Sequence, residues 1–112
     1  MITPQKVEAR LYELSKEIEQ CHEDLVNAEN SYHTSKAKYE IAMARSRINL
    51  AEAKLTAQGR EDTALLENQS LHLDLAGIEA RVKSTRALAN KLRTQVDIAR
   101  TISVSVRTEM NA

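Results

Sequence analysis

Apolar residues recur along most of this chain at alternating intervals of four and three positions. Ten of twelve such positions in the first half are apolar or Tyr: Val7, Leu11, Leu14, Ile18, Cys21, Leu25, Ala28, Tyr32, Ser35, Tyr39, Ala42 and Ser46. Nine of twelve in the second half are apolar: Ala64, Asn68, Leu71, Leu75, Ile78, Val82, Thr85, Ala89, Leu92, Val96, Ala99 and Ser103. We call these two series the inner stripes. A repeat of 3.5 residues kept over several heptads predicts a coiled coil of long helices.

Two signals divide this pattern into two helices. Thr3 can cap a helix that begins at Pro4, because its hydroxyl accepts a free backbone N–H and the fixed φ of proline suits a first turn. No helix breaker follows until Gly59, which fits the left-handed position just past a helix end. The sequence therefore predicts helix 1 at about 4–58, a turn at about 59–61 and helix 2 at about 62–108.

The short turn predicts how the helices pair, since a connection of a few residues places them side by side and antiparallel. The predicted fold of 1–112 is a single all-α domain, a long antiparallel two-helix coiled-coil hairpin. Glu61 and Asp62 would lie in the first turn of helix 2, where the helix dipole favours acids. Ser alternates with β-branched residues over 102–106, which weakens helix propensity. Both a fraying helix end and an extended segment ordered by a partner fit that pattern.

The distribution of charge along the chain supports the antiparallel pairing of the two predicted helices. The chain is neutral overall, with 16 basic and 16 acidic residues, but its sign alternates along the sequence. Residues 1–30 and 61–80 are predominantly acidic, while residues 36–60 and 81–112 are predominantly basic. Folded near Gly59, each block faces a block of opposite sign, which disfavours a parallel pairing of like blocks.

The halves nearest the turn carry a second apolar series, offset from the first by two positions or about 200° around a helix. These outer stripes are Ala37, Ile41, Ala44, Ile48, Ala51 and Leu55 in helix 1, and Leu66, Ser70, Leu73, Gly77, Ala80, Ser84 and Ala87 in helix 2. One helical partner cannot cover both sides, and monomers rarely expose such a patch. The pattern therefore predicts self-association into a dimer or larger bundle. The interface residues that we predict are Ile41, Ala44, Ile48, Ala51, Leu55, Leu66, Leu73, Gly77 and Ala80.

Gly77 has two interpretations. Inside a helix a glycine costs about 1 kcal/mol relative to alanine, which makes sense if another backbone approaches closely at that point. A glycine that is merely tolerated fits equally well.

The sequence offers no constellation that favours enzymatic chemistry. His22, His33 and His72 are not at metal-ligand spacings with one another or with Cys21, and no phosphate-binding glycine loop is present. We expect no catalytic activity, no cofactor and no metal. No apolar run approaches the roughly 20 residues that a membrane-spanning helix needs, and a single cysteine suits a reducing compartment. We therefore expect a cytoplasmic protein without membrane contact.

Basic residues before the turn are candidates for binding nucleic acid, because a row of positive side chains can follow a phosphate backbone. The four candidates are Arg45, Arg47, Lys54 and Arg60. Acids such as Glu61 lie across from them, however, and a self-neutralising surface is the alternative. Tyr32 and Tyr39 share the inner stripe, where core packing competes with stacking on bases.

Four segments resemble a known group of proteins: residues 39–47 (YEIAMARSR), the Gly59-Arg60-Glu61 turn, and the two closing motifs, QVDIAR at 95–100 and VSVR at 104–107. They are similar to small helical-hairpin proteins encoded by bacteriophages and prophages, some of which resemble the recombination mediators of T4-type phages. Those mediators are oligomeric and help load a recombinase onto single-stranded DNA. The resemblance implies that Arg45 and Arg47 contact phosphates and that the protein acts in a bacterial host cytoplasm. The chain lacks the aromatic residues that follow the basic pair in the mediators.

Three functional hypotheses follow. The first is a homo-oligomeric accessory protein of DNA recombination or replication, which binds a recombination or replication protein and single-stranded DNA. The second is a protein-only adaptor or inhibitor that docks on a host or phage protein. The third is a structural or assembly factor of virions.

Overall fold

The computed structural model describes residues 1–111 and consists of three α-helices. They are α1 (Pro4–Leu50), α2 (Ala57–Glu67) and α3 (Gln69–Met110), with no strand among the described residues. The predicted all-α class is confirmed. Residues 102–106 lie within α3, so this segment is helical and not extended.

The start of α1 agrees with the prediction. The helix begins at Pro4, and the backbone N–H of Lys6 donates to the Thr3 hydroxyl oxygen at 3.3 Å. The Thr3 carbonyl accepts from the N–H of Val7 at 3.1 Å. Thr3 therefore caps α1 with both its side chain and its backbone, as the pairing of Thr with Pro indicated.

The predicted position of the turn is wrong. α1 ends at Leu50 and α2 begins at Ala57, so the connection occupies residues 51–56 and not 59–61. Thr56 caps α2, because its hydroxyl accepts from the N–H of Gly59 at 3.0 Å. Gly59 therefore belongs to the first turn of α2, and its φ is not positive. A glycine suits both the position after a helix end and the third position of a helix whose cap lies three residues upstream, and here it occupies the second.

The earlier start of α2 also changes the positions of two acidic residues within the helix. Glu61 and Asp62, predicted in the first turn of helix 2, follow that turn because α2 starts earlier. The predicted continuous helix 2 is also interrupted, since α2 ends at Glu67 and α3 starts at Gln69. The break lies at Asn68, whose φ of −111° and ψ of 21° depart from helical values.

The side chain of Asn68 explains the break. Its amide nitrogen donates to the Ser46 hydroxyl at 2.9 Å and to the Ala64 carbonyl at 2.8 Å. An asparagine that bonds nearby backbone competes with the regular helical ladder. The ladder resumes at once, because the N–H of His72 donates to the Asn68 carbonyl at 3.0 Å.

The described chain divides into two compact units. The first combines Met1–Val26 with the chain from Lys83 onward, and the second is Asn27–Val82. In the first unit, the core contains Leu14, Cys21, Leu92 and Ala99, with Leu11, Ile18, Ala89 and Val96 packed against it. All eight residues belong to the inner stripes. The thiol of Cys21 lies 3.6 Å from the Thr85 carbonyl, and a guanidinium nitrogen of Arg10 lies 3.5 Å from the Gln95 side-chain oxygen.

The second unit, which we call the turn unit, has a core of smaller and more polar residues. Its buried residues are Ala28, Met43, Ser46, Ala64 and Val82. Met43, one helical turn after Tyr39 on the same side of helix 1, is only 5% exposed. In both units together, every one of the twenty-four inner-stripe positions is buried or half-buried. The periodicity therefore identified the packed face of each helix.

Candidate functional site

The outer stripes of the turn unit are exposed along their whole length. Every outer-stripe position from Ala37 to Leu55 and from Leu66 to Ala80 is exposed. Among the large apolar side chains of these stripes, the exposed fraction is greatest for Ile48 at 75%, Leu66 at 70% and Leu73 at 60%. The nine residues predicted as an oligomer interface are all in this set. The chain's own packing leaves them in contact with water.

Gly77 has no internal packing role. A Cβ built on this glycine meets no heavy atom within 4 Å, apart from its own helix backbone and chain neighbours. The described chain therefore has room for a larger side chain at this position.

Arg47 is the most constrained of the four candidate bases. Its Nε donates to one carboxylate oxygen of Glu61 at 2.7 Å, and a terminal nitrogen donates to the other at 3.2 Å. This hydrogen bond raises the pKa of Arg47 and lowers the pKa of Glu61. Two parallel bonds of this kind fix the orientation of both side chains. Both side chains remain about half exposed, and the carboxylate of Glu61 offsets the positive charge of Arg47 locally.

The other three candidate bases differ in whether they are bonded within the chain. A guanidinium nitrogen of Arg60 donates to the Leu55 carbonyl at 3.1 Å, which helps to close the connection between α1 and α2. Arg45 and Lys54 are exposed, and neither forms an ion pair within the part of the chain that the structure describes. The predicted row of four bases therefore separates into two that are engaged within the chain and two that point to solvent.

The tyrosines of the inner stripe are half-buried, as core packing requires. The Tyr39 ring lies 5.5 Å from the ring of His72, centroid to centroid, and the Tyr32 ring lies 5.6 Å from that of His33. Tyr39 therefore forms part of the packing between α1 and α3. The spacing of residues along the chain does not indicate the contact with His72, because only folding brings it to Tyr39.

Cysteine and histidine residues do not converge on a site. Cys21 is buried within its unit, and within residues 1–111 no group of three or more His, Cys, Asp or Glu residues could hold a metal ion. Among the described helices, none combines the length and apolar character that a membrane span requires.

Sequence reasoning missed an apolar cavity in the first unit. It has a volume of about 220 Å³, and its lining is formed by Ile2, Lys6, Val7, Arg10, Ala99 and Ile102. Val7 and Ala99 are inner-stripe residues, but Ile2 precedes α1 and carried no periodic signal. In the folded first unit, Ile2 lines the same cavity as Ala99 and Ile102 of α3.

No protein-family model, curated protein or solved structure matches this chain significantly.

Proposed function

We propose that this chain is a non-enzymatic, homo-oligomeric coiled-coil accessory protein that acts in DNA recombination or replication. Copies associate through the outer stripes of the turn unit. The assembled protein binds single-stranded DNA and a protein of the recombination or replication machinery in a bacterial host cytoplasm. The resemblance of residues 39–47, of the Gly59-Arg60-Glu61 segment and of the closing motifs to phage helical hairpins agrees with this role.

Antiparallel pairing of α1 with α2 and α3 is part of this proposal. In the first unit Arg10 lies near Gln95, while Cys21 lies near Thr85. In the turn unit Tyr39 lies near His72, while Arg47 lies near Glu61. In each unit, a higher residue number on α1 goes with a lower number on the facing helix, which supports an antiparallel hairpin.

The observation that carries the proposal is the exposure of the outer stripes. Ile48, Leu66 and Leu73 are each at least 60% exposed. Removing apolar surface from water stabilises an association by about 25 cal/mol per Å². Scattered apolar residues are ordinary on a protein surface, but each outer stripe recurs at helical spacing, one along α1 and the other along α2 and α3. A continuous apolar face of this kind is typical of helices that bind other helices.

Arg45 and Lys54 support the nucleic-acid part of the proposal. Both are exposed and have no acidic partner among the described residues. Such side chains can neutralise phosphates and release counterions, which makes binding depend on salt. The contribution of Arg47 is weakened, because the carboxylate of Glu61 offsets its charge.

Salt-dependent binding of a labelled oligothymidine, followed by fluorescence anisotropy, tests this function. Wild-type protein should bind, and log affinity should fall linearly with log salt concentration. Arg45→Glu combined with Lys54→Glu should make that slope shallower by about 1.4, at about 0.7 per phosphate contact. Glu61→Gln, which frees Arg47, should make it steeper by about 0.7.

The matched control is Lys6→Glu combined with Lys16→Glu, which changes the net charge equally but lies outside the turn unit. It should leave the slope close to that of wild type. No measurable binding by wild type, or an equal loss in the control, would overturn the DNA-binding proposal.

A second candidate is the protein-only adaptor, which the apolar cavity around Ile2 and Ile102 favours. A partner's apolar side chain could enter that cavity, whose lining is almost free of polar groups apart from Lys6 and Arg10. This candidate predicts no affinity for single-stranded DNA even at low salt. It also predicts one captured protein in a pull-down, which Ile102→Asp should release.

A further inference from the structure

The two outer stripes of the turn unit lie on opposite edges of it. On α1 as far as Ile48, and on α2 and α3, the outer stripe is about 200° from the inner stripe, and the inner stripes are the buried ones. Ala51 and Leu55, predicted on helix 1, lie in the connection that follows α1. The α1 stripe therefore faces away from α2 and α3, and their stripe faces away from α1. A second copy placed against one edge cannot also cover the other edge.

The two edges differ in charge. Along 37–55, which we call the basic edge, the charged residues are four bases and two acids. Along 66–80, which we call the acidic edge, they are three acids and no base. Like edges placed together would bring like charges into contact, whereas unlike edges are complementary.

Side chains on both edges are available for such contacts. Lys38 flanks the stripe of the basic edge, and Glu67 and Asp74 flank that of the acidic edge. All three are exposed, and none forms an ion pair within the chain as far as the structure describes it. Gly77 lies on the acidic edge, where the absence of any neighbour within 4 Å leaves its backbone open to a close approach.

We propose that the basic edge of one copy binds the acidic edge of the next. This proposal rests on the self-association stated above and specifies its pairing. Such a contact is heterologous, because it uses two different surfaces. In a row of associated chains, one terminal copy keeps a free basic edge and the other keeps a free acidic edge. Repetition gives a closed ring of three or more chains, or an open array when the rotation does not close.

Single substitutions on each edge test the pairing. Ile48→Asp places a charge on the basic edge and leaves the acidic edge intact, while Leu73→Asp does the reverse. Both residues are exposed, at 75% and 60%, so the chains should fold, which circular dichroism would check. Sedimentation equilibrium then gives the mass of each variant alone and of an equimolar mixture. Ile98→Asp, an equivalent change at an exposed residue outside the turn unit, is the matched control and should keep the wild-type mass.

Heterologous pairing predicts that each variant alone has the mass of one chain, 12.6 kDa. The mixture should form pairs of twice that mass, because each variant retains the edge that the other lacks. A dimer of either variant alone, or a mixture of single chains, would overturn the pairing. If wild type itself has the mass of one chain, the proposed self-association fails as well, so the two failures are distinguishable. Ile41→Asp and Leu66→Asp repeat the test should one of the first variants lose its helical signal.

Discussion

At the residue scale, the ion pair with Glu61 sets Arg47 apart from the other candidate bases. Its spacing places it in one row with Arg45, Lys54 and Arg60, and nothing in the composition ranks the four. The fold brings Glu61 to 2.7 Å from Arg47, because the connection between α1 and α2 is short and the carboxylate lies on the facing helix. The opposed charge blocks predicted that bases and acids would meet, but not which pair would form.

This ion pair makes stability depend on pH in a defined direction. The pKa of Glu61 is lowered in the folded chain by its hydrogen bond with Arg47. The stabilisation is therefore present above the pKa of the unfolded chain and is lost as pH falls through the folded value. At neutral pH, Glu61→Gln should lower the melting temperature slightly, since exposed pairs contribute little. The difference from wild type should disappear in acid.

Thermal unfolding followed by circular dichroism, at one protein concentration and a series of pH values, measures this effect. Glu52→Gln is the control, because Glu52 forms no ion pair within the described chain. A difference between wild type and Glu61→Gln that persists unchanged into acid would contradict the account.

At the element scale, periodicity predicted the helices better than the breakers predicted their ends. Every inner-stripe position is buried or half-buried, because a 3.5-residue apolar repeat marks the face of a helix that packs against another helix. The turn was misplaced because Gly59 can end one helix or occupy the first turn of the next. The structure shows the second, with Thr56 as the cap. The repeat places Asn68 at one polar position of an inner stripe. In the structure its side-chain amide donates to Ser46, and the helix is interrupted at this residue.

Substitution of Thr56 tests the observed turn. Thr56→Ala removes the hydroxyl that accepts from the N–H of Gly59, and the free energy of unfolding should fall by about 1 kcal/mol. Thr56→Ser retains the hydroxyl and should stay within a few tenths of wild type. Urea denaturation measures both. Equal losses for Ala and Ser would show that the hydroxyl does not cap α2.

At the scale of the whole molecule, the buried and exposed faces have different consequences. The inner stripes are packed within the chain, as the core of Leu14, Cys21, Leu92 and Ala99 illustrates. The outer stripes are not, and the sequence identified them because their offset of two residues is visible without coordinates. The division into two compact units carried no comparable signal, since the repeat runs through the boundary near Val26 and Val82 without a change of period.

The mass of the wild-type protein in solution tests the central claim most directly. Sedimentation equilibrium over a range of micromolar concentrations should give a mass of at least three chains of 12.6 kDa, because each copy offers two separate edges. A mass of one chain at every concentration would contradict the account, since it would show that water covers the outer stripes of the native protein.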